Sequence, residues 1–274
     1  ADASIETNVA SLDLENSSSG GVDITETDDI TVVSLVQNGF AGPVSLVATG
    51  GNVLIDSIDA GSGSVTIESV ASAIDDATAD PETVTDIIAD TIDLTAAAGI
   101  GTTSGLELEG AVSIDINTTQ NDIVVSHVAD APVTVNTMTV GSTTEVGSIS
   151  FSQSGNQELT VTDTSTTDGN ISIDNSGADL TVVGLNAVGT DADATLTTTG
   201  SGDILIDSVT AADLVTFTSA GAVEEDSADP EIDTTAVTLS VSAVSGVGSI
   251  DDLETDVDNL EITNSTSGVV SIDE

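Results

Sequence analysis

The sequence predicts an all-β chain folded as a parallel β-solenoid, a β-helix with coils of about 21–25 residues. Three observations lead there. Short strands of period two follow one another along the chain, with Val, Ile and Leu on one face and Ser, Thr, Asp or Glu on the other. Strand phrases return in the same order one coil later. Ile149-Ser150-Phe151 comes back as Ile171-Ser172-Ile173, 22 residues on, and Leu159-Thr160-Val161 as Leu180-Thr181-Val182, 21 on. A longer phrase, residues 246–274 (GVGSIDDLETDVDNLEITNSTSGVVSIDE), repeats the grammar of 99–126 and of 5–26. An antiparallel sandwich also has short strands at regular spacing, but it does not predict this ordered return.

The elements follow in order. Leu12-Asp13-Leu14, Val22-Asp23-Ile24 and Ile30-Thr31-Val32 alternate cleanly; Pro43 then opens Val44-Ser45-Leu46. Gly51 leads into Val53-Leu54-Ile55, and Gly63 into Val65-Thr66-Ile67. Residues 84–94 are the one stretch that could pass for a helix, and their Thr and Ile favour strand. Residues 202–209 echo 51–58 at an offset of 151, and the Ala-Asp-Pro-Glu turn at 79–82 returns at 228–231, an offset of 149. The Gly-x-Gly phrase returns at 147. Residues 1–274 therefore read as a single elongated solenoid, with related modules near 50–126 and 200–274 joined by a less regular section, 127–199. Each coil presents an aliphatic strip that only a neighbouring coil buries, so stability is roughly a nearest-neighbour sum. Roughly twelve coils at about 4.8 Å give a body on the order of 55–60 Å long.

Charge restricts the functions open to this chain. There are 48 Asp and Glu and no Lys or Arg, a net charge of −48. Carboxylates must then be solvated, hydrogen-bonded or neutralised by cations. A high-salt habitat, bound divalent cations and resistance to proteases that cut after Lys and Arg each account for the missing bases. Nucleic-acid binding in its usual form is excluded, because it relies on basic residues to neutralise phosphate. A polyanion also avoids anionic lipid surfaces, and no apolar run approaches a membrane span. Dense β-branched residues and a mean hydropathy of +0.24 argue against disorder. With no Cys the fold needs no disulfides, and a chain opening on Ala1 reads as processed or cut from something longer.

The end phrase carries a resemblance. Its Leu253-x-Thr255, Leu260-x-x-x-Asn264, Ser267-Gly268 and Ile272-x-Glu274 cadence is similar to the repeats of very large bacterial surface adhesins related to filamentous haemagglutinin. The resemblance covers both modules well and the middle by general texture. It implies a right-handed parallel β-helix, secretion, and a role as an adhesin stalk or fibre. This chain departs from those relatives in lacking Lys, Arg and Tyr.

Cation binding is the leading site hypothesis, because turns offer carboxylates and carbonyls together and Ca²⁺ takes six to eight oxygens. Asp75, Asp76, Asp80 and Glu82 cluster at the first Ala-Asp-Pro-Glu turn. Glu224, Glu225, Asp226, Asp229 and Glu231 cluster at the second, and Asp251, Asp252 and Glu254 in the end phrase. Neither EF-hand spacing nor a nonapeptide Ca²⁺ repeat is present, so solvated loop acids are the plain alternative. Asn16, Asn117, Asn170 and Asn264 head Asn-x-Ser/Thr triplets, which suit glycosylation and equally suit ordinary turn chemistry. The lone His127 reads as a tolerated residue beside a strand.

Function is expected to be structural: a segment of an extracellular or cell-surface β-solenoid fibre or adhesin stalk, acidic and cation-associated, and not an enzyme. Its expected partner is itself, by head-to-tail stacking or as part of a longer chain; any glycan or surface receptor is unspecified. The alternative is a carbohydrate-active β-helix protein using paired carboxylates. That chemistry needs two placed acids and a sugar cleft, and the chain has no Tyr or Trp to stack on a saccharide. Thr-x-Thr columns of the kind that bind ice do not recur in every coil.

Overall fold

Two parallel β-ribbons wind around one aliphatic core, as seen in a computed structural model that describes residues 4–38, 42–78, 84–141, 146–226 and 231–274. The chain crosses from one ribbon to the other every half turn and completes about twelve turns. All regular structure among the described residues is strand, and every strand pairing is parallel.

The first ribbon begins Ile5–Thr7, Val22–Glu26, Val44–Ala48, Ser64–Ser69 and Thr91–Ala96. The second begins Ser11–Asn16, Ile30–Gln37 and Val53–Ile55. Register follows the repeat that the sequence shows. Ile149 pairs with Ile171, and Leu159 with Leu180. The coil step stretches to 29 residues between Ile58 and Ile87 and shrinks to 19 between Ile206 and Glu225. That spread is wider than 21–25 because loops are inserted at the coil corners.

Alternation places the core. Val44, Leu46 and Ala48 point inward and are buried, whereas Ser45 and Val47 between them are half-buried on the outer face. Along the first ribbon one inward column runs from Val22 through Val44, Val65 and Ile92 to Val182 and Ile206. Burying nine such aliphatic side chains in sequence stabilises the stack by roughly 1.5–3 kcal/mol each. Another inward column is polar: His127, Gln153 and Asn175 sit in register at 1–2% exposure. Gln153 donates to Asn175 Oδ1 at 3.2 Å and accepts at Oε1 from His127 Nδ1 at 3.3 Å. Asn175 Nδ2 then donates to the carbonyls of Gln157, Ala178 and Asp179. His127 is thus an interior neutral imidazole, and burial pushes its pKa down.

Each module splits one ribbon at a corner. Val53–Ile55 and Ile58–Asp59 replace a single strand on the second ribbon, and Ile204–Ile206 and Val209–Ala211 do so on the first. The Gly-x-Gly turns mark where a loop re-enters the stack. Gly101 and Gly248 both have left-handed φ, at 65° and 57°. A Cβ on either would run into a carbonyl of the next coil, Val124 O or Ser271 O, so only glycine fits.

Candidate cation-binding corners

An insertion at the split corner creates the candidate site. One coil earlier, Ile55 and Ser57 are separated only by Asp56; their stacked counterparts, Asp76 and Asp86, are separated by residues 77–85. Asp76 and Asp86 bring their carboxylates together despite this separation along the chain. Asp76 follows the inward Ile55 in register, so an acid occupies a core position. Glu107 comes from the next coil, stacked on Asp86, whose backbone N–H donates to the Glu107 carbonyl at 3.0 Å. One carboxylate oxygen from each of Asp76, Asp86 and Glu107 lies within 4.8 Å of the others.

The second module builds the same corner from Glu225, Asp233 and Glu254, again within 4.8 Å of one another. Glu225 follows Ile206 in the inward column, and residues 226–232 separate it from Asp233 along the chain. Asp86 and Asp233 are 147 residues apart, as are Glu107 and Glu254, while Asp76 and Glu225 are 149 apart. An odd number of half turns separates the two corners, so one triad lies on each ribbon.

Two acids of each triad are buried, and the third, Glu107 or Glu254, is half-buried. Asp86 is 0% exposed and Asp233 2%; Asp76 and Glu225 are each 5%. Burial raises the Asp86 pKa to about 8, with the Asp76 and Glu107 charges adding to it against one backbone N–H from Glu107. Burial likewise raises Asp233 to about 7, with Glu225 and Glu254 adding. The arrangement can hold a proton or a hard cation between acids.

The structure sorts the acids that the sequence singled out. Asp76, Glu225 and Glu254 are triad members. Asp75 and Glu224 are buried but committed to anchoring a loop of the next coil. Asp75 accepts from Thr103 N at 3.1 Å and Thr102 Oγ1 at 3.2 Å, and Glu224 from Ser249 N at 2.6 Å and Ile250 N at 3.0 Å. Asp226, Glu231, Asp251 and Asp252 are exposed. Asp80, Glu82 and Asp229 lie outside the described residues. Asp86, Glu107 and Asp233 escaped sequence reading because their partners lie on other coils or across a loop. Aligning the two modules at 147 would have paired all three with acids.

Among the Asn-x-Ser/Thr triplets, Asn16 and Asn264 hold equivalent turns, donating to Gly20 O at 3.2 Å and Gly268 O at 3.3 Å. Asn117 is held from both sides by Thr137 and Thr139, and Asn170 is exposed.

Fold and corners together define a parallel β-solenoid repeat protein with duplicated internal acidic sites. No family model, curated protein or solved structure matches the chain. No helix among the described residues is long and apolar enough to cross a membrane.

Proposed function

We propose that this chain is a structural segment of an extracellular or cell-surface β-solenoid fibre or adhesin stalk, of the kind its end phrase resembles in filamentous haemagglutinin-related proteins. The observation that carries this reading is the uninterrupted stack: about twelve turns share one core, and each coil is sealed only by its neighbours. Such a body is a spacer of defined length. Its outer face of Ser, Thr, Asn and Asp, with a net charge of −48, gathers a diffuse cloud of counter-cations.

The same reading makes the chain non-enzymatic. Its closest groups of acids are enclosed at 0–5% exposure in their buried members, which favours an internal role over contact with a saccharide. Head-to-tail stacking, or continuation within a longer chain, belongs to the proposal too. The Thr7 Oγ1 to Glu26 bond of 2.6 Å recurs 248 residues later as Thr255 Oγ1 to Glu274 at 2.7 Å, so one coil chemistry serves at both places.

Antibody raised against the purified chain tests the reading on intact source cells. External labelling, together with loss of surface adhesion when the gene is deleted, is the expected result. Labelling only after permeabilisation would overturn it.

A further inference from the structure

The two corners place charge where this fold otherwise places aliphatic carbon. Asp76 and Glu225 each continue an inward column directly after an isoleucine, Ile55 and Ile206. Burying an acid against two others costs several kcal/mol unless something compensates, and no Lys or Arg exists in the chain to do so.

Hydrogen bonding compensates only half of each aspartate in the first corner. Asp76 Oδ1 accepts from Thr78 N at 2.7 Å and Thr78 Oγ1 at 3.2 Å, while its Oδ2 is buried with no hydrogen-bond partner. Asp86 Oδ2 accepts from Glu107 N at 2.9 Å, while its Oδ1 is likewise buried and unpartnered. In the second corner Asp233 Oδ2 accepts from Glu254 N at 2.9 Å, and Glu254 Oε2 is buried without a partner. Asp76 Oδ2 and Asp86 Oδ1 in the first corner, and Glu254 Oε2 in the second, are buried oxygens left for a ligand.

We propose that each corner is an occluded binding site for one hard divalent cation of the calcium class, held by Asp76, Asp86 and Glu107 in one module and by Glu225, Asp233 and Glu254 in the other. The donors are all carboxylate oxygens, a set that selects hard cations over those wanting His or Cys. Oxygens around a Ca²⁺ at about 2.4 Å stand up to roughly 4.8 Å apart across the ion, and the three oxygens of each triad fall within that limit. A bound ion also joins two successive coils, since Glu107 and Glu254 come from the coil after Asp86 and Asp233. The site is internal and duplicated, and so distinct from the diffuse cation cloud of the surface. It stands independently of the stalk reading.

Calorimetric titration of the chelator-treated full chain with CaCl₂ tests this, in enough NaCl to screen the surface charge. Diffuse association weakens with salt, whereas enclosed sites are screened far less. The expected result is saturable binding of two ions per chain. Asp86→Asn and Asp233→Asn each remove one, the double variant removes both, and Asp93→Asn on the outer face leaves two. Absence of a saturable component, or two ions still bound by the double variant, overturns the proposal. Should the variants fail to fold, crystals of the unaltered chain grown with MnCl₂ decide it: anomalous density at both triads supports the sites, and density only elsewhere refutes them.

Discussion

Glu26 and Asp86 are both sealed from solvent, and their acidities move in opposite directions. At Glu26 burial works to raise the pKa, but donors outweigh it. Thr7 Oγ1 at 2.6 Å, Val9 N–H at 3.1 Å and Thr27 N–H at 2.7 Å surround the carboxylate and, with Asp28 N–H, hold it down to about 2. Asp86 receives one backbone N–H and faces two other acids, and burial pushes it up to about 8. In a chain without bases, an enclosed carboxylate is satisfied either by a full ring of donors or by something that is not part of the chain.

That comparison breaks most sharply when an acid is placed inside with neither device. Ile173 and Val182 are 0% exposed in ordinary inward columns. Ile173→Asp or Val182→Asp should cost about 3–5 kcal/mol, as for an uncompensated buried charge, read from chemical denaturation. A near-neutral outcome at both would mean that the core tolerates charge generally, and the corners would lose their special standing. Gly101→Ala and Gly248→Ala come next, because a Cβ there meets the backbone of the next coil at positive φ. Each should cost more than the roughly 1 kcal/mol of an ordinary Gly conformational effect, and melting of the two variants checks it.

Opposite acidities predict opposite pH slopes. Glu26 has a folded pKa below its ordinary 4.5, so its contribution is present above that value and lost as pH falls towards about 2. Asp86 and Asp233 have folded values above the ordinary 3.8. Their contribution is complete below 3.8 and lost as pH rises through about 7 to about 8. Cation-free protein should therefore be most stable near about pH 4–5, with the alkaline fall removed in the Asp86→Asn, Asp233→Asn double variant. A pH series of melting curves in chelator measures both limbs. The smallest effect lies outside the core. Asp93 stacks on Asp115, and burial first, then the Asp115 and Glu68 charges, raises its pKa. Asp93→Asn should gain roughly a few tenths of a kcal/mol at low salt and nothing at high salt.

Much of this architecture was legible in the residues. The alternation of Val44, Leu46 and Ala48, and the return of Ile149 as Ile171, dictate parallel stacking because only a coil-by-coil register satisfies both. Other features depend on geometry that local sequence does not carry. Stacking equivalent strands can set acid against acid on neighbouring coils. Within the paired strands only Asp93–Asp115 and Glu254–Asp273 do so, because most acids face Ser, Thr or aliphatic partners, as Asp23 faces Ser45 and Asp174 faces Thr197. The corners were only half visible. Acids near the Ala-Asp-Pro-Glu turns stood out as clusters, yet Asp75 and Glu224 bind loop amides, and the decisive Asp86 and Asp233 lie across inserted loops. Clustering along the chain is a poor guide when a loop closes between two ligands and the third sits a coil away.

If the two corners need a counter-charge from outside the chain, thermal unfolding of the unaltered protein at about pH 8 registers it. In monovalent salt high enough to screen the surface, melting is compared between chelator and excess CaCl₂. Ca²⁺ should raise the melting temperature well above the chelator value, by the mass action of a ligand that binds only the folded stack. Superimposed curves would contradict the account, since the acids of both corners would then be satisfied without any cation.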